Sequence, residues 1–200
     1  MNNQDHRGGP PPWKVMAPLL AALLLLTWPG GGQAAEFSAK MVLTDGGKVM
    51  PGKVYVKGDK MRQEFTDERG QSITIVRKDR KVIWVVMPQH RVYVEMPLRK
   101  ELPGQFLQLP EETLKRQKVC SETVSGYATE RYQVTVSGGA AGPVIQNFWM
   151  CDQLGMPVKM ECKEKNLSVE YQDIKEGAVE DKLFEPPPGL KKITKTTGVP

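Results

Sequence analysis

The chain has 200 residues, 28 Lys and Arg against 23 Asp and Glu, and 40% apolar residues, which suits one domain or two small ones. A charged fraction of 26% and a mean hydropathy of -0.41 fit a globular protein and exclude a polytopic membrane protein or a disordered tail. Two histidines and three cysteines leave no means of building a His-rich metal site, a four-cysteine zinc ribbon or a haem CxxCH. Neither glycine-rich phosphate loop nor a GxSxG elbow is present.

Residues 1–34 read as a cleaved secretory signal peptide. Arg7 and Lys14 supply the positive end, Met16–Trp28 is a 13-residue apolar core, and Gly32-Gln33-Ala34 gives the small-x-small cleavage pattern. That core is too short for a helix crossing ~30 Å of hydrocarbon, and Pro29 and three glycines end it. The expected mature protein is therefore periplasmic. It keeps 26 basic and 22 acidic residues, a net +4. An excess that small favours peripheral contact with an anionic membrane surface and is no nucleic-acid footprint.

From residue 35 to 193 the sequence alternates with period 2 between turn signals, the pattern of an all-β domain. Val54 and Val56 alternate with Lys53, Tyr55 and Lys57; Met61 and Phe65 with Arg62 and Glu64; Val92, Val94 and Met96 with Arg91, Tyr93 and Glu95. The pattern resumes at Tyr132, Val134 and Val136, at Val158, Met160 and Cys162, and at Leu167, Val169 and Tyr171. Turns such as Asp45-Gly46-Gly47, Lys57-Gly58-Asp59 and Asp152–Gly155 separate the segments. The spacing predicts about eleven strands in a single curled antiparallel sheet, either a sandwich or an open barrel. Lys81–Met87 (KVIWVVM) is apolar on both faces, which marks a strand covered from both sides.

Pro97–Gln117 breaks the pattern. Pro97, Pro103 and Pro110 forbid one long helix, while Pro110-Glu111-Glu112 starts a short one that Lys115 and Arg116 would close. The expectation is a helical insert packed over the sheet as a lid, with Phe106, Leu107 and Leu109 as its apolar patch. Residues 194–200 read as a loose C-terminal tail.

Three cysteines in an exported chain leave one unpaired or paired between molecules. On a hairpin about Asp152–Gly155, Cys151 and Cys162 stand about 20 Å apart, too far for a disulfide, which needs Cα atoms within about 7 Å. Cys120 is the better partner for either. His90 falls in a turn, Pro88–Arg91, where a lone histidine is ordinary polar filler. No catalytic residues, cofactor or metal site are read, and the expectation is no enzyme. Apolar surface remains. Eight methionines after the leader suit a face that accepts partners of varied shape, and Met61, Trp84, Val94, Trp149 and Met160 are the candidates for lining a cavity.

In motif order the chain resembles the periplasmic lipoprotein-carrier superfamily, the LolA/LolB-like fold that also includes RseB-type sensors. The resemblance rests on Phe37–Met41, on Gly52–Lys57 followed by Lys60-Met61-Arg62, on Ile75-Val76 through Asp79–Trp84 to Met87-Pro88, and on the close Leu183–Leu190. The chain departs from the carriers in entering Phe37 without a preceding amphipathic helix, in having Lys57-Gly58 where they carry Arg-Pro, and in its cysteines. It resembles a divergent, uncharacterised member. The resemblance implies a half-open sheet of about eleven strands round a hydrophobic cavity, with lid helices at Pro97–Gln117. It also implies a carrier for the acyl chains of lipoproteins or another lipid, or, on the same fold, an envelope protein-interaction or sensor module without bound lipid.

Overall fold

The computed structural model describes residues 35–68, 70–98, 113–136 and 142–193. Within them the chain is built from β1 (Glu36–Asp45), β2 (Lys48–Lys57), β3 (Lys60–Asp67), β4 (Gly70–Arg77), β5 (Val82–Met87), β6 (Val92–Pro97), β7 (Thr113–Val124), β8 (Tyr127–Val136), β9 (Val144–Cys151), β10 (Met156–Cys162), β11 (Leu167–Glu176) and β12 (Lys191–Ile193). All twelve join one curled sheet in the order β12-β6-β5-β4-β3-β2-β1-β11-β10-β9-β8-β7. Two runs of hairpins, β1–β6 and β7–β11, meet where β1 pairs antiparallel with β11, Met41 opposite Tyr171 and Leu43 opposite Val169. The end strands β12 and β7 do not pair with each other, so the sheet stays open. The single curled antiparallel sheet expected from the alternation is thus what forms. The strand beyond the expected eleven is β12, three residues that run parallel to β6.

Alternation sorts the side chains onto two faces. Phe37, Ala39 and Met41 of β1, Val54 and Val56 of β2, Met61 of β3, Val76 of β4 and Ile83 of β5 share the inner face, and Phe148, Met160, Val169 and Tyr171 continue it beyond β1. Gly52 continues the same row in β2. A Cβ there would meet the Glu64 carbonyl oxygen at 2.5 Å and the Phe65 ring at 3.0 Å, so the close approach of β3 demands a glycine.

The outer face of β4 and β5 is also apolar. Ile73, Ile75, Trp84 and Val86 form a second cluster with Val179 and Phe184, and Tyr55, Tyr93, Leu183 and Leu190 pack at its margin. The cover foreseen for Lys81–Met87 is therefore the segment 177–190, which runs as a strap across the outer face before β12 joins β6. Phe184 is fully buried. Two buried arginines hold the strap: Arg62 donates from Nη1 to the Leu183 carbonyl (3.0 Å) and from Nε to Glu64 (2.6 Å), and Arg77 donates to the Phe184 carbonyl (3.2 Å) and pairs with Asp79 (2.7 Å) and Glu185. Further out, Lys57 and Lys60 both reach Asp181 (3.2 and 2.7 Å), and the Val179 N–H donates to Glu36 (2.7 Å). Residues 78–81 form the turn after β4, and Arg77 before it is buried beneath the strap at 4% exposure.

One expectation is corrected. Thr113–Gln117, read as the end of a helical insert, is the start of β7, with Thr113 opposite Val136, Lys115 opposite Thr135 and Arg116 opposite Val134. The Arg116 guanidinium lies 4.0 Å from the centre of the Tyr132 ring. Pairing along β8 outweighs the helix-ending charges, because local propensity is worth little against a formed ladder. The remainder of the lid expectation, including Phe106, Leu107 and Leu109, lies outside the described residues, as do the leader 1–34 and the tail 194–200. The three cysteines are free thiols, Cys151 and Cys162 buried and Cys120 partly exposed.

The strap generates two predictions. Phe184→Ala should cost about 3–5 kcal/mol in denaturant unfolding, as for other large apolar side chains removed from a packed site. Acid should loosen the strap. Arg77 holds the Asp79 carboxyl down to about 2, and Lys60 and Lys57 lower Asp181, while the Val179 N–H lowers Glu36. Carboxyls depressed on folding stabilise the fold above their ordinary values and lose that contribution as pH falls through the folded ones. Limited proteolysis should accordingly cut within 177–190 more readily as pH drops from about 4 to 2, and Asp79→Asn should flatten that dependence.

Candidate functional site

The inner face is the one extended surface of the described sheet that combines apolar character with a continuous run over both halves. Its members come from strands whose other side is polar, which is why the alternation Val54/Lys53, Met61/Arg62 and Met160/Lys159 specifies them. Of the five cavity candidates, Met61 and Met160 lie on this face and are buried, and Val94, half-buried, stands opposite Val85 at its β6 end.

Trp84 is placed on the other side, and Trp149, though buried in the same cluster as Met61 and Met160, leaves β9 opposite in sense to Phe148. Trp84 packs with Ile75, Val86 and Phe184 under the strap and donates from Nε1 to Glu95 (2.9 Å), which also pairs with Lys192 of β12 (2.7 Å). Lys192 and Trp84 together hold the Glu95 carboxyl below its ordinary value. Trp149 is opposite Arg131 on β8 and Lys159 on β10, whereas its neighbour Phe148 faces Met160. Its ring lies between the Arg131 guanidinium (5.8 Å) and the Lys159 ammonium (5.0 Å), and Nε1 donates to Glu122 (2.8 Å). That bond lowers the Glu122 carboxyl first, with Cys120, Arg131 and Lys159 adding to it. Both indoles thus tie strands together by their polar ends and bury their rings.

Two buried polar groups, Gln63 and Tyr171, interrupt the inner face, and the alternation did not single them out as functional. Gln63, 5% exposed, donates from Nε2 to the Met41 sulfur at 3.7 Å. Tyr171 is 1% exposed; its ring packs 6.4 Å from that of Phe37, and its hydroxyl has no hydrogen-bond partner of normal geometry although Gln63 lies alongside. Burial raises the Tyr171 phenol far above its ordinary value, so it stays a neutral donor. A narrow crevice borders it, lined by Pro157, Val158, Lys159, Met160 and Val169, with no room for a water molecule. A second cleft of about 250 Å³, lined by Pro51, Lys53, Glu64, Thr66 and Gln71, is mixed in character and shallow.

Among the described residues no cluster of His, Cys, Asp and Glu could hold a metal ion, and no helix is long and apolar enough to cross a membrane. His90 is exposed in its turn, as read from the sequence.

Trp149→Phe should lower stability by about 1–3 kcal/mol, by loss of the bond to an ionised carboxylate and of part of the cation–ring attraction. It should leave whatever occupies the inner face unaffected, which a binding assay on the folded variant would check.

Comparison with known proteins agrees with this architecture. The family described as a domain of unknown function (DUF4412) matches residues 39–156. An uncharacterized conserved protein from Thermus thermophilus superposes with a TM-score of 0.54 at 9% identity, over 82% of this chain and 93% of that one. MucB superposes with a TM-score of 0.51 at 14% identity, over 80% of this chain and 60% of MucB. A LolA superfamily protein from Nitrosomonas europaea aligns at 15% identity and a TM-score of 0.38, over 76% of this chain and 90% of that one. No curated protein matches the chain by sequence.

Proposed function

The chain belongs to the DUF4412 family and is a divergent LolA-like protein, and from that premise we propose that it is a non-enzymatic carrier that binds the acyl chains of lipoproteins, or another lipid, along its inner face. The observation that carries this reading is the continuous apolar inner face of an open sheet, Phe37 and Met41 through Met61 on one side and Met160, Val169 and Tyr171 on the other. Met61, Met160 and Tyr171 on that face are 0–4% exposed, so an acyl chain would have to displace what now covers them. Met61, Val94 and Met160 would contact the chain, with Phe106, Leu107 and Leu109 as part of the cover. Residues 1–34 would export the protein and be cleaved, leaving the domain of residues 35–193 in the periplasm, where its slight positive charge suits passing contact with anionic lipid.

Native mass spectrometry with organic extraction, on protein purified from a bacterial periplasm, tests this directly. The expected result is a bound acyl species that delipidation removes. A clean apo mass together with a co-purified envelope protein would replace the carrier by an interaction module on the same fold. Val94→Asp is the informative variant. At a half-buried position it leaves the core intact, unlike a charge at Met61 or Met160, and it should reduce bound lipid severalfold while the unfolding midpoint moves little.

A further inference from the structure

A tyrosine hydroxyl buried without a partner is a net loss to stability, of the kind a phenylalanine at the same place avoids. Tyr171 is close to that position, 1% exposed with no hydrogen bond of normal geometry to its hydroxyl among the described residues, although the Gln63 amide lies alongside. Water cannot relieve it through the bordering crevice, which is too tight to admit a molecule. The sheet is irregular on both sides of this residue. In β10 the register slips between Pro157 and Lys159, leaving Val158 outside the ladder near Tyr171. In β11 the register against β1 slips between Ser38 and Lys40, where Asp173 takes a φ of 50°. Bulges of this kind weaken the local ladder and re-aim side chains. The crevice is closed as it stands, and Met160 is the unbranched side chain of its lining whose displacement would open it.

Resting on the carrier reading, we propose that the Tyr171 hydroxyl is the anchor for a neutral carbonyl oxygen of the ligand, the ester carbonyl at the head of an acyl chain, with the chain running along Met160 and Val169. The surroundings select an ester over an ionised acid. Phe37, Met41, Gln63, Met160 and Val169 carry no charge, and Lys159, the charged residue of the crevice lining, is engaged by Glu170 at 3.3 Å and by the Trp149 ring. A carboxylate placed beside Tyr171 would be buried without a counter-ion.

The test compares wild type with Tyr171→Phe for three probes of one chain length, methyl laurate, laurate and dodecane, by the amount retained through gel filtration and counted by gas chromatography. Denaturant unfolding of both proteins runs alongside. The expected result is a five- to tenfold weaker hold on methyl laurate in the variant, the loss of about one hydrogen bond. Dodecane should stay within about twofold, laurate should bind weakly to both, and the variant should be at least as stable as wild type. Equal retention of methyl laurate by the two proteins would overturn the assignment. So would a variant that unfolds more easily and loses dodecane as well, since the hydroxyl would then be structural. Stronger retention of laurate than of the ester by wild type would overturn the ester in favour of a free acid. Should wild type retain none of the probes, the carrier reading itself falls, and this inference with it.

Discussion

Arg77 stands where three parts of the molecule meet. Its guanidinium leaves the end of β4, pairs with Asp79 in the following turn, and reaches the Phe184 carbonyl and Glu185 of the strap. A buried arginine is tolerable only when nearly all its donors are engaged, and here that engagement fixes the strap in register over Ile73, Ile75, Trp84 and Val86. Where β4 and β5 are apolar on both faces, each face needs a cover. Arg77 and Arg62 secure the outer one with main-chain carbonyls, an anchorage independent of which side chains the strap carries.

The strap closes the outer face of β4 and β5, and the inner face is the one that the carrier reading gives to a ligand. Its composition supports reception of an apolar body: methionines at 41, 61 and 160, aromatic rings at 37, 148 and 171, and polar interruptions at Gln63 and Tyr171. The same strands that line it display paired ions outward, Lys159 with Glu170 and Arg131 with Glu122. The two surfaces therefore differ in kind, one organised by charge and the other by shape.

Much of this was legible in the sequence. Period-2 alternation located the strands, the Gly and Asp turns spaced them, and the doubly apolar run Lys81–Met87 announced a cover before its source was known. Other features left no local trace. Arg77 sits in a cluster of charges that reads as a turn, since nothing in the run Arg77–Lys81 distinguishes an inward guanidinium from outward ones. Phe148-Trp149-Met150-Cys151 is apolar without alternation, so only pairing with Arg131 and Lys159 assigns the face of Trp149. Thr113–Gln117 carries helix-ending charges, yet its conformation is decided by β8, at the far end of a hairpin. Long-range pairing settles these cases, and a sequence window does not contain it.

The meeting of β1 with β11, and of β12 with β6, has a consequence for how the chain reaches its native state. Most ladders here join neighbours in sequence and can form as soon as each hairpin is available, whereas Met41 waits for Tyr171, and Phe184 reaches Ile75 last of all. Contacts so distant along the chain slow folding. Until the final residues arrive, Ile73, Ile75, Trp84 and Val86 present an uncovered apolar stripe on a sheet with open edges, the type of surface that recruits aggregation or a chaperone. A chain cut short of Phe184 would keep the sequence of its hairpins and leave that stripe without its cover.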